Sequence, residues 1–133
     1  MTLFSKIMAG QIPCFKIYED EHTFAFLDIN PINLGHTLVV PKIEVDSFLD
    51  LPEPYYSKVF VNAKIIGKAI QKATNCVRVC TWIEGFAVPH MHYHVCPIFR
   101  ENGEFWSKRG SPQAEEEMKN IQLKIVERLE EVA

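Results

Sequence analysis

The sequence predicts an α+β fold: an antiparallel five-stranded sheet that carries one long helix and a C-terminal helix. Two observations lead there. Five short stretches are apolar in alternation or almost continuously, as strands are, whereas two longer stretches repeat their apolar residues at helical spacing. The coarse order is hairpin, strand, helix, two strands, helix, which suits a sheet with its long helix on one face. At 133 residues, 47% hydrophobic and 23% charged, the chain is expected to form one domain over 1–133. Its core spans about 3–100, and a loop and helix occupy 101–133.

Thr2 is placed to cap a short helix through Met8, with Leu3, Phe4 and Ile7 as its apolar side; Gly10 ends it and Pro13 forbids its return. Phe15 to Tyr18 is a short strand and Glu19-Asp20-Glu21 a turn. Thr23 to Ile29 alternates, with Phe24, Phe26 and Asp28 on one side and Ala25 and Leu27 on the other, so the pair forms a hairpin. After the turn-rich Asn30 to Gly35, His36 to Pro41 is a strand apolar enough for burial on both faces. Ser47 to Leu51 makes one helical turn.

Pro54 to Thr74 is the clearest helix. Tyr56, Val59, Phe60, Ala63, Ile66, Ile70 and Ala73 recur at helical spacing, Lys64, Lys68 and Lys72 form a solvated face, and Asn75 is its end. Cys76 to Ile83 reads as a strand, Glu84 to Ala87 as a loop, and Pro89 to Phe99 as a further strand. Arg100 to Gly110 reads as a loop with two aromatics, Phe105 and Trp106. Ser111-Pro112 is expected to open the last helix, with Glu115, Glu116 and Glu117 near its positive end and Met118, Ile121, Ile125, Leu129 and Val132 as its apolar stripe.

A net charge of −3 argues against a nucleic-acid partner bound through its phosphates. No apolar run is long enough to span a bilayer, and Met1 to Lys6 lacks the apolar region of a signal peptide. The expectation is a cytoplasmic protein that binds no membrane. Its four cysteines, without Cys-x-x-Cys spacing, are then reduced thiols, Cys80 and Cys96 filling the core.

The chemistry centres on His90-Met91-His92-Tyr93-His94. Period two puts His90, His92 and His94 on one strand face and Met91, Tyr93 and Val95 on the other. Three buried imidazoles in register are costly, because every ring nitrogen must be satisfied. Neutral imidazole can attack phosphorus and then leave, provided that one nitrogen is held as a donor and the other keeps its lone pair. The middle residue, His92, is the natural nucleophile, framed by His90 and His94. The same His-x-His spacing also suits zinc, completed by Asp28, Glu44, Glu84 or His36. Spacing alone leaves both readings open. Asp28, at the end of an apolar strand, is well placed to accept hydrogen bonds from a ligand's hydroxyls.

The stretch His90 to Cys96 resembles the signature of the histidine triad family. Three further segments are similar to the family's pattern: Phe4 to Pro13, Ala25 to Pro31 (its ribose-binding strand) and Gly35 to Lys42. The resemblance implies a homodimer of α+β subunits that binds purine nucleoside monophosphates. It also implies an enzyme that hydrolyses or transfers at the α-phosphate of nucleoside phosphoramidates or dinucleoside polyphosphates through a covalent nucleotidyl-histidine. His92 would be the nucleophile, with His90, His94 and His36 supporting it and contacting phosphate. Asp28 would hold the ribose and Ile29 would lie near the base, with Phe26 in the same strand. No metal or cofactor is implied.

Three departures stand out. The segment Thr81 to Pro89 is shortened and lacks the polar side chains that contact phosphate in many members, so that backbone N–H groups, at Ala87 and Val88, are left for that role. Zinc-binding members carry Cys-x-x-Cys near the N-terminus and a later His; here those places hold Thr2, Ser5 and Glu44, and no structural zinc is expected. The tail after Phe99 matches no part of the pattern.

Overall fold

The computed structural model describes residues 1–100 and 109–132. Helix α1 (Leu3–Met8) is followed by strands β1 (Lys16–Glu19), β2 (Thr23–Leu27) and β3 (Thr37–Pro41), a 3₁₀ turn (Phe48–Asp50) and helix α2 (Tyr55–Thr74). Strands β4 (Arg78–Trp82) and β5 (Tyr93–Ile98) and helix α3 (Glu115–Val132) complete the chain. The five strands form one antiparallel sheet in the order β1-β2-β3-β5-β4, which is the α+β architecture expected. The expected loop at 101–108, with Phe105 and Trp106, lies outside the described residues. Among those described, no helix is long and apolar enough to cross a membrane.

Strand alternation divides the interior in two. Ala25, Leu27, Val39, Met91 and Val95 face α2 and α3, which contribute Val59, Ala63, Ile66 and Ile70 and then Met118, Ile121, Ile125 and Leu129. Phe24, Phe26, Leu38 and Val40 face the other way, against Phe4 and Ile7 of α1. Each buried large aliphatic side chain contributes about 1.5–3 kcal/mol. Gly67 packs over the sheet, where an added Cβ would make ordinary contact with Val79 and Val95, and Asn75 ends α2 in the left-handed conformation at φ 55°. Gln122 of α3 donates to the Lys16 carbonyl at 2.9 Å and so covers one sheet edge. Strand β4 is the other edge.

Three sequence expectations need correction. The last helix starts at Glu115 rather than Ser111. The Ser111 N–H donates to the Pro31 carbonyl, and Gln113 bonds the Ser111 carbonyl and hydroxyl, so neither Ser111 nor Pro112 opens a helix. Gly110 lies so close to Asn30 that a Cβ would collide with the Asn30 carbonyl oxygen. The triad stretch becomes regular strand only at Tyr93, because the His90 and Met91 N–H groups bond the Val88 and Val45 carbonyls. The alternation of faces nevertheless continues back to His90. Finally, Cys96 is buried, but Cys80, on the outer strand β4, is only half-buried.

The β1–β2 hairpin is held by Asp20. Its Oδ1 accepts from the His22 and Thr23 N–H groups and the Thr23 hydroxyl, and its Oδ2 from Nδ2 of buried Asn62 at 2.7 Å. Burial alone would raise the Asp20 pKa, but these hydrogen bonds outweigh it and bring it down from 3.8 to about 2. A carboxylate depressed on folding stabilises above its unfolded pKa, by about 2 kcal/mol here, and that contribution fades as pH falls from about 4 towards 2. Asp20→Ala is expected to lower unfolding free energy by about 2 kcal/mol at neutral pH and to flatten the acid limb of stability against pH, measured by urea denaturation.

Candidate active site

Antiparallel pairing of β3 with β5 sets Leu38 opposite His94, and His36, one step before β3, comes beside the triad. His36, His90, His92 and His94 are all buried. Phe4 closes the other side, its ring edge-on to His92 at 5.0 Å and to His90 at 5.7 Å. The structure thus brings together the four histidines singled out from the sequence.

Backbone groups set the proton positions. His92 Nδ1–H donates to the His90 carbonyl at 2.8 Å, which leaves the lone pair on Nε2. His90 Nε2–H donates to the Pro41 carbonyl at 2.9 Å, so its Nδ1 accepts from the Thr2 hydroxyl at 2.8 Å. The Ile32 N–H donates to His36 Nδ1 at 3.1 Å, which places the His36 proton on Nε2. That proton goes to His94 Nδ1 at 3.0 Å, and the His94 proton therefore sits on Nε2. His94 Nε2 is buried and has no hydrogen-bond partner among the described residues. Burial lowers the His36 pKa to about 4. Burial, with His36 and His92 nearby, lowers that of His94 to about 3. Both rings are neutral near pH 7, one end of the chain fixed by an amide and the other ending in an unused N–H donor.

Asp28 follows β2. Its Oδ1 accepts from the Asn30 N–H at 2.9 Å, and its Oδ2 lies 3.8 Å from His36 Nε2. Burial raises its pKa, partly offset by the Asn30 hydrogen bond and by His92. Ile29 is 65% exposed beside it. Phe26 is buried, its ring 5.5 Å from that of Phe4, and so forms the floor beneath the histidines. Val88 packs against that floor and its carbonyl anchors His90, while Ala87 is exposed.

Sequence reasoning missed the Ile32 amide and Trp82. The Trp82 ring stacks on His94 at 4.5 Å and 4° between planes. Neither has a local signal: an amide carries no residue code, and Trp82 meets His94 only through the β4–β5 register.

Asp28, His36 and His94 each hold a potential metal-ligand atom within 4.8 Å of the others. A metal on His36 Nε2 would need a lone pair at the nitrogen that the Ile32 amide obliges to carry the proton, so the tautomers oppose one. The zinc place noted in the sequence is a hydrogen-bonded cluster. The Thr2 N–H donates to Glu44 at 2.7 Å and the Thr2 hydroxyl lies 3.2 Å from that of Ser5. Hydrogen bonds from Ser5 and Thr2 hold Glu44 below the usual carboxylate range. Two hydroxyls and one carboxylate do not fit structural zinc, which takes thiolates and imidazoles.

An antiparallel sheet that collects three alternate histidines and a fourth from the neighbouring strand defines a histidine triad site. The HIT domain family model matches residues 9–101, and the chain belongs to this family. An uncharacterised HIT-like protein of Methanocaldococcus jannaschii is 39% identical over 108 residues, 78% of this chain and 84% of that protein. An adenosine 5′-monophosphoramidase of Schizosaccharomyces pombe is 33% identical over 111 residues, 83% of this chain and 82% of that one. The solved structure of a hypothetical histidine triad nucleotide-binding protein of Sulfolobus tokodaii superposes with a TM-score of 0.85 at 26% identity, over 96% of this chain and 91% of that one.

Thr2 caps α1 and also serves His90, so Thr2→Val should leave a buried ring nitrogen unsatisfied and remove the cap. The expected loss is roughly 2–3 kcal/mol of unfolding free energy in urea, with Thr2→Ser close to wild type.

Proposed function

We propose that this protein is a nucleotide hydrolase or transferase acting at the α-phosphate of a purine nucleoside 5′-phosphoramidate or a dinucleoside polyphosphate, through a nucleotide covalently held on His92. The observation that carries this reading is the His92 tautomer: with Nδ1–H given to the His90 carbonyl, Nε2 keeps its lone pair among neutral donors. In this reading His92 Nε2 attacks phosphorus, the bond to the leaving group breaks with its electron pair, and the leaving group takes a proton. Water then attacks phosphorus and gives up a proton to solvent, and the phosphorus–nitrogen bond breaks with its electron pair returning to Nε2, which releases the nucleotide and frees His92. The His94 Nε2–H bonds a phosphoryl oxygen whose charge grows in the transition state. In this reading the backbone N–H groups of Ala87 and Val88, in the loop before the triad, are left to bond the phosphate. Asp28 Oδ2 receives the ribose hydroxyls and Ile29 lies against the base. His90 and His36 hold the other two rings in place. The reading is supported by membership of the family and by the monophosphoramidase among the relatives.

His92→Ala is expected to lower turnover of a fluorogenic adenosine phosphoramidate at least 10³-fold while the affinity for adenosine monophosphate stays within a few-fold. Acid-quenched wild-type enzyme should carry a nucleotidyl mass on the peptide containing His92. Tight binding without turnover in the wild type would instead mark a nucleotide-binding protein with little catalysis. Turnover stopped by chelators and restored by zinc would replace the nucleophile with a metal.

The active form is proposed to be a homodimer. Its support is the outer strand β4 with exposed Val77 beside it, and the groove that Phe60, Lys64, Arg78 and Tyr93 line between β4 and α2. A second copy would pair this edge about a two-fold axis. Light scattering at micromolar concentration should give twice the chain mass, and a monomer mass would remove the proposal.

A further inference from the structure

Among the described residues, His94 is the one histidine of the four whose ring no main-chain group holds. His92 and His90 donate to the carbonyls of His90 and Pro41, and His36 accepts from the Ile32 N–H. His94 is bonded through Nδ1 to the His36 side chain at 3.0 Å. A single hydrogen bond of this kind fixes the place of Nδ1 but leaves the ring able to tilt about it, and any tilt swings the Nε2–H across the ring. The second restraint is Trp82. Residues 82 and 94 are directly opposite in the β4–β5 register, so both side chains leave the same face of the sheet. Their ring centroids are 4.5 Å apart and the planes 4° from parallel. Tilting either ring would part them at one edge and drive them together at the other. The indole also lies 5.3 Å from the His36 ring at 51°, so it packs on both partners of the His36–His94 hydrogen bond.

Trp82 is itself held in place. On the opposite face of the same two strands the Tyr93 hydroxyl donates to that of Thr81 at 2.9 Å, and the Phe60 ring of α2 packs on Tyr93 at 4.7 Å. The residues that precede the stacked pair in each strand are thus tied to each other and to the helix. Core packing does not account for the stack, because Trp82 is only half-buried, on the outer strand, and lies outside both core clusters. Resting on the reading of the site given above, we infer that Trp82 is a positioning residue for the transfer: by stacking on His94 it holds the ring plane and so aims the Nε2–H at the phosphoryl oxygen. The indole touches no reacting atom in this role. It acts through His94 alone, and its effect belongs to the transition state, where the aimed dipole matters most, rather than to ground-state binding.

The test compares the wild type, Trp82→Phe, Trp82→Leu, His94→Ala and the double variant of the last two on a fluorogenic adenosine phosphoramidate. Trp82→Leu keeps an apolar side chain on the strand but removes the flat face. It should lower kcat roughly 10- to 100-fold, the cost of a catalytic group misplaced by about 1 Å, while KM and the affinity for adenosine monophosphate stay within a few-fold. Trp82→Phe restores a flat face and should recover kcat to within about fivefold of the wild type. In the His94→Ala background, Trp82→Leu should change kcat less than about twofold, because the residue it acts through is gone. Proton NMR reads the stack without turnover: the His94 ring protons, assigned by their loss in His94→Ala, should lie upfield in the wild type under the indole ring current and move downfield in Trp82→Leu. Where Trp82→Leu does not fold, Trp82→Met takes its place in each comparison. Wild-type kcat in Trp82→Leu, equal losses with and without His94, or ring protons that do not move would each overturn the inference and leave the nucleotidyl-His92 reading intact. A wild type without turnover, or rates untouched by His92→Ala, would overturn that reading instead.

Discussion

The site depends on backbone groups deciding where each histidine proton sits. Three main-chain contacts do this: the His90 carbonyl to His92, the Pro41 carbonyl to His90, and the Ile32 amide to His36. A neutral imidazole has two tautomers of similar energy in water, so an unanchored ring would present the wrong nitrogen for much of the time. Here each choice is coupled to a main-chain group that cannot rotate away. The fourth ring, His94, inherits its tautomer from His36. The free lone pair on His92 and the unused donor on His94 follow from these anchors rather than from any charged neighbour.

The sheet is what brings the anchors into place. The antiparallel step between β3 and β5 carries His36 to His94, and the Pro41 carbonyl at the other end of β3 reaches His90. The opposite face of the same strands is filled by Val39, Met91 and Val95 against α2 and α3. A one-residue slip of β5 would bury histidines against Ile66 and Ile70 and turn Val95 to the site. Core packing on one face therefore protects the chemistry on the other. Phe4 and Phe26 complete the arrangement by excluding water beneath His92 without offering it a competing partner.

Much of this was legible in the sequence because it is periodic. Alternation exposed the histidine row and the two faces of β2, and helical spacing exposed the stripes of α2 and α3. The cap at Thr2 was legible from residue type alone. What could not be read is set by contacts far apart in the chain. The late start of α3 follows from the fit of Gly110 against Asn30. The pairing of Thr2 with His90 spans 88 positions and that of His36 with His94 spans 58. Trp82 looked like one more strand residue until the β4–β5 register set it beside His94. A residue's place on a face is local information, whereas its partner on that face belongs to the tertiary register.

The chemistry of such a site turns on desolvation. Two imidazolium ions buried side by side would repel each other and lose their hydration, and the depressed values of His36 and His94 express that cost. Under the proposed function, a phosphoryl anion entering here would meet oriented N–H dipoles rather than full charges. Dipoles held by the fold need little reorganisation as charge builds on the phosphoryl oxygens, and they do not over-stabilise the bound ground state as a buried cation would. The carboxylates of Asp28 and Glu84 lie 3.8 and 3.9 Å from ring nitrogens of His36 and His94.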